Sequence, residues 1–168
     1  MPNSKKKWYV VYTKPRWEKK VHGLMLAKGM EAYCPLNRVR KKWSDRVKWV
    51  EEPLFRSYVF IKIAEEEQSL VRMVNGVVNF VYWLSKPAIV KDREIEIIRQ
   101  FLNDYDEVEA TAIDLRVDDR VMILHGVLMN KEAKVLRVVN NKVQVIIESI
   151  GYSLMATIDK SNVTVNGK

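Results

Sequence analysis

Residues 51–63 read Glu51-Glu52-Pro53-Leu54-Phe55-Arg56-Ser57-Tyr58-Val59-Phe60-Ile61-Lys62-Ile63. Pro53 marks a turn, and the run after Ser57 is a strand. Side chains alternate along a strand, so Tyr58, Phe60 and Lys62 point one way and Val59, Ile61 and Ile63 the other. The aliphatic face suits a core. The opposite face carries two aromatic rings, a surface suited to packing against something other than water. A second β-rich run, Trp8-Tyr9-Val10-Val11-Tyr12, lies near the start.

Working outward from that strand, the N-terminal part alternates strands and short helices. Trp8–Thr13 reads as the first strand. Pro15 opens a helix carrying Val21, Leu24 and Met25, and Gly29 stops it. Residues 31–36 form the second strand. Residues 38–43 and 46–50 form a projecting polar hairpin turning at Ser44-Asp45. After the 57–63 strand, Glu65-Glu66-Glu67 starts a second helix, with acids where the helix dipole favours them. Val77–Leu84 reads as a strand and Pro87–Val90 as a short edge strand. Asp92 caps a third helix with Ile95, Ile98, Phe101 and Leu102 on one side. This order predicts an α+β sandwich, helices packed on a mostly antiparallel sheet, over residues 1–103.

Composition turns acidic over 104–119, from Asp104 through Asp119, which places a linker at 104–114. Residues 115–168 then alternate with period two in five short stretches: Val121–Leu124, Lys134–Val138, Val143–Ile147, Leu154–Ile158 and Val163–Val165. Five short strands in so small a segment predict a closed all-β barrel, because closure removes exposed edges.

Charge is unevenly spread. The chain of 168 residues carries a net charge of +8, but residues 1–60 hold 15 Lys and Arg against 5 Asp and Glu, and the rest is nearly balanced. Such a footprint attracts polyphosphate or an acidic protein surface. The basic residues are interleaved with Trp17, Trp43 and Trp49, which favours nucleic acid over a merely solubilising surface. Cys34, the one cysteine, has no partner for an internal disulfide and reads as a buried structural thiol in a cytoplasmic protein. No apolar run approaches the ~20 residues of a membrane span, so no membrane partner is expected. His22 and His125 are isolated, and there is no glycine-rich phosphate loop and no metal-ligand spacing. An enzyme, a cofactor and a metal are all unexpected.

The tryptophan-tyrosine first strand, the Phe55-x-x-Tyr58-Val59 strand, Leu70-Val71-Arg72 and Gly76-Val77-x-x-Phe80-Val81 together resemble the NusG family of transcription elongation factors. The run Glu52–Phe55 and Pro87–Val90 lie closest to its specialised paralogues of the RfaH and UpxY type. Val121-x-Ile123 before Gly126, Ala133-Lys134-Val135 and Ser149-Ile150-Gly151 resemble the family's KOW domain, an SH3-like barrel. The resemblance implies an NGN-like N-terminal domain that docks on the β′ clamp helices of RNA polymerase. The matching positions are Tyr12, Phe55, Tyr58, Phe60 and Phe80, with Arg72 at the polymerase-facing edge of the second helix. The competing reading of these rings is simple core.

The same resemblance places Lys14, Arg16, Trp17, Lys19 and Lys20 over the non-template DNA strand, Trp17 stacking on a base. A solvated helix face is the alternative. The motif that contacts the polymerase β subunit is not recognisable; Gln68-Ser69 stands there. Ile150 and Tyr152 occupy the barrel corner that the family uses to reach a small-subunit ribosomal protein or Rho. The implied function is processivity and antitermination by a monomer, for specific operons such as surface polysaccharide loci. A housekeeping factor coupling polymerase to Rho or the ribosome, or a ribosome-associated RNA-binding KOW protein, is the alternative. Residues 115–168 carry 8 basic against 5 acidic side chains, a small excess for an RNA-binding barrel.

Overall fold

The Tyr58–Ile63 strand is an interior strand of a sheet covered on both faces. A computed structural model describes residues 5–113, 128–129, 135–139 and 142–157. Elements are β1 Lys7–Thr13, α1 Glu18–Ala27, β2 Glu31–Tyr33, β3 Leu36–Trp43, β4 Arg46–Pro53, β5 Tyr58–Ile63 and α2 Gln68–Arg72. There follow β6 Val77–Phe80, β7 Tyr82–Trp83, β8 Lys86–Pro87, β9 Ile89–Val90, α3 Asp92–Asp104, β10 Glu109–Ala112, β11 Leu128–Met129, β12 Val135–Val139, β13 Lys142–Ile147 and β14 Tyr152–Thr157. The described residues fall into two compact units: one runs to Leu36 and resumes over Glu52–Arg99, the other takes Asn37–Glu51 and the residues from Gln100 onward.

In the first unit the strand order is β2-β5-β1-β6, with β9 also pairing β1, and every pairing is antiparallel. One face carries Tyr9, Val11, Val59, Ile61, Ile63 and Phe80, packed with Val21 and Met25 of α1 and with Val71 and Val74. The other face carries Trp8, Val10, Phe60 and Tyr33. There α3 sends Arg99 over the Tyr33 ring, 4.6 Å from its centroid, and Asp92 to Lys62 at 3.7 Å. Residues Trp8 to Val11 are consequently all buried. A strand covered on both faces reads as a continuous apolar run.

Local chemistry moved several expected boundaries. The first helix starts at Glu18, not Pro15, because Arg16 sits at φ 68°, in the left-handed region that a helix excludes. The Trp17 N–H instead donates to the Lys14 carbonyl at 3.0 Å, closing a turn before the helix. Val77–Leu84 is not one strand. It breaks at Val81, and β7 and β8 form a small hairpin through Leu84 and Ser85 at φ 56° and 69°. Two positive-φ residues suit a two-residue hairpin's twist, a place that Asn-Gly usually takes. The second helix is a 3₁₀ turn at Glu65–Glu67 followed by five α-helical residues. Its Glu67 carboxylate accepts from the Ala64 N–H at 2.8 Å.

In the second unit β3 and β4 form a two-stranded ribbon, and a five-stranded antiparallel sheet has the order β10-β14-β13-β12-β11. Val143, Val145, Ile147, Leu154 and Ala156 are buried, as period two requires. Residues 104–114 were expected to be linker. They contain β10, which pairs β14, and Val108, which is held by a buried amide. Asn37 Nδ2 donates to the Val108 carbonyl at 2.9 Å and its Oδ1 accepts from the Val108 N–H at 3.0 Å. One side chain there satisfies both backbone groups that burial would otherwise leave costly. The expected strands at 121–124 and 163–165, and the turns at His125-Gly126 and Asn140-Asn141, lie outside the described residues.

Candidate functional site

Four of the five aromatic positions singled out in the sequence form one ladder. Tyr12 meets Tyr58 edge-on at 5.3 Å, Tyr58 stacks on Phe55 at 6.2 Å, and Phe55 meets Phe60 edge-on at 5.6 Å. Phe60 reaches Tyr33 at 6.2 Å, beneath Arg99. Aromatic pairs in such offset and edge-on geometries gain beyond the area they bury. The ladder is graded: Tyr12 is 42% exposed and Tyr58 half-buried, whereas Phe55 and Phe60 are 2% and 0% exposed. The solvent-facing part is therefore Tyr12 and Tyr58, supported by the two phenylalanines beneath.

Phe80 does not belong to this face. It is the register partner of Val11, so it shares Val11's side of the sheet, and its ring meets Tyr9 edge-on at 5.7 Å in the core under α1 and α2. Arg72 lies over that ring at 4.8 Å, and its Nη2 donates to the Tyr82 hydroxyl at 3.3 Å. Arg72 thus covers Phe80 and is itself exposed.

The expected nucleic-acid face is built differently from a free helix surface. Lys14 and Arg16 precede α1 in the turn; Lys19 and Lys20 are on its first turn. All four are exposed. Trp17 is half-buried and packs on the core cluster. The ammonium groups of Lys20 and Lys14 lie 4.5 Å and 5.3 Å from its ring centroid. The indole serves as a platform beside which two cations gather.

The residues that shape the neighbouring loop carry no motif. Glu18 is buried, and its carboxylate accepts from the Ser57 N–H at 2.6 Å, while the Ser57 carbonyl accepts from the Thr13 N–H at 2.8 Å. Ser57 has φ 64°, and these two bonds hold it there. Beside them Pro15, Arg16, Glu18, Glu52, Pro53, Arg56 and Ser57 line a cleft of about 460 Å³. Only a carboxylate in the first turn of α1 hinted at Glu18 in the sequence, and nothing hinted at its partner.

In the second unit Ile150 is buried, 7% exposed, in the turn before Gly151. Gly151 takes the left-handed conformation at φ 66°, and the Ile113 N–H donates to its carbonyl at 2.8 Å. Ile150, expected at the partner-binding corner, is thus packed inward in this turn. Tyr152 is half-buried on β14.

Two groups in the first unit favour their neutral form at alkaline pH. Burial pushes the Tyr33 hydroxyl up to about 12, against the opposing pull of Arg99. Burial, with help from Glu18, pushes the Cys34 thiol up to about 11. Folding protects the neutral form of both. Their contribution is whole below about pH 9 and is lost as pH rises through these folded values. The urea midpoint should therefore fall between about pH 8 and about pH 10.5, and fall less in Cys34→Ala. A flat midpoint in the native chain would contradict the burial of both groups.

Comparison with known proteins gives a consistent picture. Residues 6–99 match the family model described as transcription termination factor NusG. A curated protein of Streptococcus pyogenes serotype M3, named transcription termination/antitermination protein NusG, is 24% identical over 92% of this chain and 93% of its own length. The protein of that name from Lactococcus lactis subsp. lactis is 25% identical over 90% and 89%. A solved structure described as "Domain interaction in Thermotoga maritima NusG" aligns over 94% of this chain and 95% of that one, with a TM-score of 0.50 and 23% identity. That likeness speaks for the fold. Among the described residues no helix is long and apolar enough to cross a membrane.

Proposed function

This chain belongs to the NusG family of transcription termination and antitermination factors, and from that premise we propose that it binds RNA polymerase at the β′ clamp helices through Tyr12 and Tyr58. The observation that carries this reading is the graded aromatic ladder. Two tyrosines stand at the surface on a rigid base of buried Phe55 and Phe60. Large rings on a fixed support lose little freedom on docking and dominate interface energetics. A phenolic hydroxyl on each tolerates water in the free protein. Lys14, Arg16, Lys19 and Lys20 follow the non-template DNA strand, with two of the ammonium groups ordered by Trp17. The factor acts in the cytoplasm as an antiterminator for specific operons, such as surface polysaccharide loci. Its barrel corner lacks an exposed ring at position 150, which weakens any bridge to Rho.

The double variant Tyr12→Ala/Tyr58→Ala should lose about 2 kcal/mol or more of affinity for an isolated clamp-helix fragment, about 30-fold. Its circular dichroism and melting should stay near wild type, because neither ring is fully buried. A folded double variant that binds the fragment as wild type does would remove the docking face from these residues.

A further inference from the structure

The β3–β4 ribbon carries a surface that the docking face does not use. Between Arg38 and Lys48 stand six cations, Arg38, Arg40, Lys41, Lys42, Arg46 and Lys48, against a single carboxylate, Asp45. Every residue from Lys41 to Trp49 is exposed. Trp43 at the tip is 52% exposed, Val47 56% and Trp49 42%. Lysines on a two-stranded ribbon have a bland explanation, since charge keeps open strand edges from pairing with other chains. That explanation does not extend to two tryptophans and a valine held out in water, which work against it.

The ribbon is also braced. Arg38 and Arg40 reach the Trp49 ring at 4.6 Å and 5.7 Å. They also pair with Asp106 at 3.6 Å and Glu107 at 3.1 Å. The Glu107 carboxyl is held below its usual range by its hydrogen bonds to Arg40. At the base Asn37 locks onto both backbone groups of Val108. A basic surface is thus presented on a fixed arm with a bare indole at its end.

We propose that this ribbon is a second nucleic-acid site, binding a single strand of DNA or RNA, with Lys42, Arg46 and Lys48 on phosphates and Trp43 stacked on an unpaired base. Cations tracking a backbone beside exposed aromatic rings is the chemistry of single-strand binding. A duplex keeps its base faces stacked on one another and offers nothing to the flat side of Trp43.

The test uses the full chain and labelled oligonucleotides of about 12 nucleotides, dT or rU, with a mixed-sequence duplex as competitor, read by anisotropy across a salt series. Lys42→Glu/Arg46→Glu/Lys48→Glu should weaken single-strand binding at least about 10-fold and lower the salt slope by about 2. Trp43→Ala should weaken it about 5- to 100-fold with the slope unchanged. Whichever of dT and rU binds more tightly names the source of the strand; equal binding assigns contact to what the two share. Crosslinking of a photoreactive oligonucleotide to the peptide spanning 41–49 keeps the question open to decision if the triple-charge variant melts early. Three results would overturn the site: triple-variant binding within twofold of wild type, a loss confined to Lys19→Glu/Lys20→Glu, or a duplex that competes equally while Trp43→Ala is silent.

Discussion

Gly76→Ala is expected to cost about 2–4 kcal/mol, a large effect for the addition of one methyl group. Two costs combine. Gly76 has φ 95°, a conformation that L side chains rarely adopt. A Cβ there would also fall inside the contact distance of Trp17 Cε3 and lie 2.8 Å from Val21 Cγ2. Neither neighbour can easily give way, because Val21 is fully buried and Trp17 packs on the core. The Gly76 carbonyl also accepts from the Lys14 N–H at 2.9 Å, so a shift there moves the turn that carries Lys14 and Arg16. Urea unfolding of Gly76→Ala, Trp17→Ala and the double variant separates the two costs. The Trp17 part of the clash should vanish in the double variant, leaving the Val21 contact and the backbone strain, so the cycle should be non-additive by about 1 kcal/mol or more. Additive single effects would mean that Gly76 and Trp17 do not meet.

Phe60→Ala should destabilise by about 3–5 kcal/mol, the cost of emptying a closed aromatic site. Phe60 has no solvent exposure and touches Phe55 and Tyr33. Tyr12→Ala, at the outer end of the same ladder, should change stability by less than about 1 kcal/mol. Chemical denaturation of the two variants side by side tests the gradient. Equal costs would mean that the ladder is all core or all surface, and the proposed division of labour would fail.

The strand parity behind this gradient was legible in residues 51–63. Tyr58 and Phe60 do share a face, because alternation is a property of the extended backbone itself. Burial was not legible, since it depends on what packs over each position: Phe60 lies against Phe55 and Tyr33 with no exposure, while Tyr58 stays half-buried. Phe80 shows the same limit from the other side. Its side of the sheet follows from pairing with Val11, and a register shift between Tyr12 and Thr13 intervenes along that ladder. No local pattern carries such a register.

What the sequence determined by itself was whatever short-range chemistry dictates. This covers most of the strand-and-helix order of the N-terminal part, the Ser44-Asp45 hairpin, the period-two strands at 135–139, 142–147 and 152–157, the local basic excess and the buried thiol. These follow from alternation, helical spacing, turn residues and charge, each written in neighbouring letters. Tertiary structure alone decided which rings remain in water, that Trp17 gathers lysines, that Ile150 turns inward, and that Asn37 clasps Val108. It also decided that Arg16 and Ser57 take left-handed backbone. The Glu18–Ser57 bond is the plainest case: a carboxylate and an N–H 39 residues apart in sequence meet at 2.6 Å only after β1, α1 and β5 have packed. Their attraction is local in space, and folding supplies the nearness.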